Sequence, residues 1–141
     1  TTIEKVEMRL KEARKNLERL DEDDRITLLE GDAIEVLKEL LIKEKSYDFI
    51  FMDAAKGQYL NFLPDVIALM ADDAMLVSDN IFHDGDVLES RYAVLRRDRT
   101  IHGRMRKYLQ VLCEKEELET ICLPIADGMT ISTKKGNGKG E

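Results

Sequence analysis

The sequence predicts an α/β fold built on a mostly parallel sheet that closes with an antiparallel hairpin. Three observations carry this reading. Short aliphatic and β-branched runs alternate with segments of helical periodicity. The run Tyr47 to Met52 shows no polar alternation, the pattern of a parallel strand covered on both faces. The last two apolar segments, Leu118 to Pro124 and Met129 to Lys134, are separated only by IADG, a hairpin spacing. Such a repeat gives a twisted sheet flanked by helices, with ligands beyond the carboxyl ends of the strands.

The elements follow in order. TTIE at the start reads as the end of a strand running straight into a helix over about residues 5 to 20, whose stripe is Val6, Leu10, Ala13, Leu17 and Leu20. DEDD at residues 21–24 ends it in a loop, and Ile26 to Glu30 forms a short strand. Gly31 and Asp32 turn the chain into a second helix marked by Ala33, Val36, Leu37, Leu40 and Leu41. After the Tyr47 strand, Tyr59, Phe62, Leu63, Val66 and Ile67 mark a third helix, followed by a strand at Ala74 to Asp79. From Asp86 to Lys115 the pattern is helical but interrupted, and the tail KKGNGKGE has too little apolar content to pack.

A chain of 141 residues is one domain's worth, with enough apolar content for a core. Its net charge of -7 argues against nucleic-acid binding through overall charge. Cys113 and Cys122 have no ligand spacing and are expected as reduced core thiols, which favours the cytoplasm. No apolar run approaches a membrane span and no signal-peptide pattern opens the chain.

The chemistry-bearing residues cluster at strand ends. Asp53 follows one apolar strand, and Asp79 with Asn80 ends the next. Neighbouring strands run about 4.8 Å apart, so these ends can direct oxygens to one point, as Mg²⁺ binding requires. The plainer alternative is turn formation, for which Asp and Asn are common. Lys56 lies just beyond Asp53. A divalent cation beside a lysine disfavours the charged amine, leaving a candidate general base; an isolated loop lysine is otherwise a solvated one. Glu4 stands where a dinucleotide-binding sheet sets an acid against ribose hydroxyls, or is a first-turn helix glutamate. Asp32, in EGDA, either contacts an adenine ring together with the turn backbone or caps the helix behind it.

Between residues 91 and 107 the cations Arg91, Arg96, Arg97, Arg99, Arg104, Arg106 and Lys107 stand against Asp98 alone. This cluster suits RNA phosphates, a solvated helix face, or an oligomer contact. His83 and His102 are isolated and read as loop or surface residues, with His83 near enough to SDN to line a substrate entrance. Met70, Met75 and Met105 read as core or as a partner-facing surface.

Taken together, TTIE before a helix, EGDA, YDFIFMDAAKGQY, VSDNIFHDG and DGMTIS resemble the metal-dependent class I S-adenosylmethionine O-methyltransferases, the group of the catechol and caffeoyl-CoA enzymes. Within it, DAAKGQY and DRTIHGRMRKYLQ most resemble the bacterial tRNA 5-hydroxyuridine methyltransferases. The resemblance implies a Rossmann-like methyltransferase fold, incomplete at the N-terminus because the family's first strand and glycine-rich loop precede what residue 1 begins. Residues 1–134 are then the C-terminal portion of one methyltransferase domain, and 135–141 a flexible tail. It further implies Mg²⁺ on Asp53, Asp79 and Asn80, and S-adenosyl-L-methionine held by Glu4 at the ribose, Asp32 and Ala33 at adenine, and Asp53 at the methionine end. Lys56 is the implied base. The implied activity is methylation of 5-hydroxyuridine at the tRNA wobble position, with the cationic cluster on the RNA. The alternatives are a small catechol-type acceptor, or a partner-binding chain without the cofactor loop. A cytoplasmic homodimer is expected.

Overall fold

The computed structural model describes residues 1–20, 25–82 and 85–136. The expected loop at 21–24, His83, and residues 137–141 of the tail lie outside the described residues. The chain divides into two compact units, Thr1–Lys45 and Ser46–Glu141.

The first unit comprises β1 (Thr2–Glu4), α1 (Glu7–Leu20), β2 (Leu28–Glu30) and α2 (Ala33–Ile42). β1 and β2 pair in parallel, with Glu4 opposite Glu30. β2 begins two residues later than the Ile26 to Glu30 run suggests. Asp32 caps α2 by accepting from the Ile34 N–H at 3.0 Å. α2 buries Val36, Leu37 and Leu40, residues that recur on one helical face.

The second unit comprises β3 (Tyr47–Met52), a 3₁₀ turn Lys56–Gln58, α3 (Tyr59–Leu69), β4 (Met70–Asp79), a 3₁₀ turn Asp86–Leu88, α4 (Arg99–Glu114), β5 (Leu118–Leu123) and β6 (Met129–Lys134). Its strands are ordered β3-β4-β6-β5. β3 and β4 are parallel, while β6 is antiparallel to both β4 and β5, which gives the expected terminal hairpin. β4 starts at Met70, directly after α3, rather than at Ala74. Tyr47 pairs with Met70 and Phe49 with Met75, so the extra β4 residues form a bulge, with Asp73 at φ 62°. Lys134 fixes this junction by donating to the carbonyls of Ile67 and Met70 at 3.1 and 2.8 Å.

One face of this sheet carries Leu76, Ser78, Thr130 and Ser132, all fully buried, and α4 reaches it through the Tyr108–Ser78 hydroxyl pair. The apolar run of β3 predicts cover on both faces. Instead Phe49 and Phe51 are 56% and 54% exposed, and Met75 and Ile121 share that open face. Apolarity alone does not reveal which element covers a face; in this unit α4 lies on the other side.

Both cysteines are free thiols in the expected helix and strand, but both are exposed rather than in the core. α4 buries His102, Met105, Tyr108 and Leu112, and Cys113 falls one position off that stripe. Cys122 sits on β5, an edge strand, and partial desolvation followed by the neighbouring Cys113 pushes its thiol up. Met70 and Met105 belong to the core, whereas Met75 is on the open face.

Candidate active site

The parallel register of β3 and β4 pairs Met52 with Ser78. The next residue on each strand is an aspartate, so Asp53 and Asp79 leave the sheet side by side. Sequence order alone left this neighbour relation open. Asn80 follows at φ 50°, a left-handed conformation that asparagine tolerates better than most side chains, and its N–H donates to Asp79 Oδ1 at 2.8 Å. The loop is held from the hairpin side. Ile81 and Phe82 N–H donate to the carbonyls of Gly128 and Asp127. Gly128, at φ 79°, lies so close beneath the Phe82 ring that a Cβ there would sit 2.2 Å from it.

Lys56 turns back over these strand ends. Its Nζ donates to Asp53 Oδ1 at 3.3 Å, to the Asp79 carbonyl at 3.1 Å and to the Tyr59 hydroxyl at 2.9 Å. Only 15% of its side chain is exposed, against 52% for Asp53. This is a seated lysine, not a solvated loop residue. Tyr59, read from periodicity as one more member of the α3 stripe, is fully buried. Its hydroxyl also lies 3.1 Å from the Met52 carbonyl and 3.0 Å from the Asp79 carbonyl, and accepts from Ala54 N–H at 3.4 Å. Burial pushes its hydroxyl, and that of Tyr108, above the ordinary tyrosine range, so both stay protonated at neutral pH. The available sequence signal was a tyrosine three residues after Lys56, the one hydroxyl in an otherwise hydrocarbon stripe.

The first unit gathers its candidates at the carboxyl ends of β1 and β2. Glu4 Oε1 accepts from the N–H groups of Lys5 and Val6, both at 2.8 Å, and Oε2 lies 3.7 Å from Arg9. The Val6 hydrogen bond is the main cause holding its carboxyl below the usual range. Asp32 Oδ1 caps α2 and Oδ2 pairs with Lys5 at 3.0 Å; the Ile34 N–H leads the causes that lower it. Asp32 thus performs the helix capping that sequence reasoning offered as its alternative, whereas Glu4 ends β1 ahead of α1 rather than standing in the helix's first turn.

Much of the cationic cluster is engaged internally. Arg99 and Arg106 donate to the carbonyls of Val94 and Val87, Arg104 to Asn61 Oδ1, Lys107 to Gln110, and Arg97 pairs with Asp98. Arg91, Arg96 and Arg97 are exposed, as is Tyr92. His102, expected at the surface, is buried on α4 with Nε2 3.1 Å from the Glu89 carbonyl, because the helical period places it in line with Met105.

The O-methyltransferase family pattern matches residues 1–135. A caffeoyl-CoA O-methyltransferase of Medicago sativa is 35% identical over 113 residues, covering 77% of this chain and 46% of that protein. An SAH-bound methyltransferase of Podospora anserina superposes with TM-score 0.80 at 25% identity, over 95% of this chain and 59% of that one. An O-methyltransferase of Bacillus cereus in complex with SAH shares the fold at TM-score 0.83 and 23% identity, over 95% and 61%. The chain belongs to the O-methyltransferase family. It spans about half the length of the plant relatives it matches.

Proposed function

We propose that the protein acts as a Mg²⁺-dependent S-adenosyl-L-methionine O-methyltransferase on a small hydroxylated acceptor of the catechol or caffeoyl type. The observation that carries the reading is the strand-end constellation: Asp53 and Asp79 in adjacent register, Asn80 beside them, and Lys56 seated within 3.3 Å of both strand ends. The caffeoyl-CoA relatives support the small acceptor over tRNA.

The donor chemistry fits a hard cation. Two carboxylates and a carboxamide offer oxygen only, the ligand type of a hard cation; among the described residues no three His, Cys, Asp or Glu side chains gather to hold a metal ion. Asp53, Asp79 and Asn80 would hold the ion, whose bound charge would lower the pKa of an acceptor hydroxyl. Within the first unit, Glu4 would suit the ribose hydroxyls of S-adenosyl-L-methionine and Asp32 with Ala33 its adenine; within the second, Asp53 is the candidate for its methionine end. When bound, S-adenosyl-L-methionine would supply a sulfonium methyl group, with its thioether as the leaving group to an acceptor oxygen. Lys56 is the residue placed to take the acceptor proton. The protein's contribution is alignment and charge, since a sulfonium methyl needs little covalent help.

A second reading, methylation of 5-hydroxyuridine in tRNA, is favoured by one feature: exposed Arg91, Arg96 and Arg97 flank exposed Tyr92, a pairing suited to phosphates and a base face. Labelled methyl transfer into a catechol panel and into undermethylated tRNA, with and without Mg²⁺, tests both. Incorporation into neither acceptor class by the active full-length enzyme would end the proposal. The reading includes a cytoplasmic homodimer, whose mass sedimentation measures. No helix among the described residues is long and apolar enough to cross a membrane.

A further inference from the structure

We propose that Tyr59 is a positioning residue whose hydroxyl seats the Lys56 amine against Asp53 and the Asp79 carbonyl. The proposal rests on reading the β3–β4 ends as the methyl-transfer site, and it concerns how the chain holds that site before any ligand arrives.

Lys56 sits on a one-turn 3₁₀ segment and would ordinarily sample many rotamers, since a lysine side chain is long and flexible. Here its three donors meet three acceptors, and the shortest contact is to Tyr59 Oη at 2.9 Å. That oxygen cannot drift. Tyr59 is the first residue of α3, is fully buried, and meets the Tyr108 ring edge-on at 5.2 Å, with Tyr108 pinned in turn to Ser78 on β4. The hydroxyl sits between the two strand termini and has one proton for two carbonyls, Met52 at 3.1 Å and Asp79 at 3.0 Å. Whichever carbonyl receives it, the lone pairs remain directed at Lys56 Nζ and Ala54 N–H. A phenol in this place therefore ties together the end of β3, the end of β4 and the candidate base, while the amine also lies 4.8 Å from the ring centroid. Phenylalanine would keep the ring and the cation contact and remove only the oxygen.

The test is Tyr59→Phe, read first without any reaction. In ¹H–¹³C spectra of the unmodified chain, the Lys56 ε-methylene should show two inequivalent protons and a nuclear Overhauser contact to the Tyr59 ring. In Tyr59→Phe the two protons should merge toward the free-lysine position, while Thr120→Val, which removes a hydroxyl paired with Ser132 in the terminal hairpin, should leave them separate. Unchanged Lys56 signals in Tyr59→Phe would overturn the proposal. So would absence of the contact in the unmodified chain, which decides the matter if the variant does not fold. In the active enzyme the same substitution should lower kcat about tenfold to hundredfold with acceptor KM nearly constant, because a misplaced group costs the transition state more than binding. A lost kcat effect with merged Lys56 signals would leave the positioning intact and count instead against Lys56 as base.

Discussion

Asp53 and Asp79 each stand where a β-strand gives out, and the Met52–Ser78 register brings the two residues side by side. Replacing Asp79 with Asn keeps its shape and its bond from the Asn80 N–H but removes a charge. We expect Mg²⁺ or Mn²⁺ affinity to fall about tenfold or more by calorimetry, since cation affinity follows ligand charge; an unchanged affinity would place the cation elsewhere. Glu4 and Asp32 carry a different prediction. Both carboxyls are lowered by hydrogen bonds that exist only in the fold. A depressed folded value contributes stability that is complete above the ordinary carboxylate values of 4.5 and 3.8 and disappears as pH falls through the lowered ones. Thermal unfolding followed from pH 6 downward should therefore show an acid-sensitive component below about pH 4.5, smaller in Glu4→Gln. These side chains were legible in the sequence because chemistry and strand ends coincide. Tyr59 was not, since periodicity reports that a residue is buried but not what its hydroxyl reaches.

At the scale of elements, the hairpin was legible from IADG, and α2 from its cap and stripe. The early start of β4 was hidden. MADD at residues 70–73 looks like an acidic loop, and it becomes strand only through pairing with Tyr47 and a bulge at Asp73. The support of the Asn80 loop was equally non-local, resting on the turn that ends in Gly128. Gly128→Ala adds a Cβ in contact with the Phe82 ring and in a backbone conformation that disfavours it. We expect a loss of about 1–3 kcal/mol in chemical denaturation, with chemical-shift changes at residues 80–82. A variant as stable as the parent would show that the hairpin does not brace that loop.

For the molecule as a whole, the two units differ in how much sheet each contains. Among the described residues, the first has two strands of three residues and the second four strands of six to ten. Two-stranded sheets are marginal without further cover. Amide exchange should accordingly be faster in β1 and β2 than in β4 and β6, by about tenfold or more; uniform protection would contradict this. The open face at Phe49 and Phe51 belongs to the same scale. Sequence pattern predicted cover on both sides of β3, but cover is supplied by distant chain and has no local signature.

The central claim, that the carboxyl ends of β3 and β4 form an oxygen-donor cation site, is tested most directly by titrating Mn²⁺ into isotope-labelled protein and following paramagnetic broadening. The account predicts that signals of Asp53, Asp79 and Asn80 broaden first, and that excess Mg²⁺ restores them. Broadening centred on other residues, or none at millimolar Mn²⁺, would contradict it.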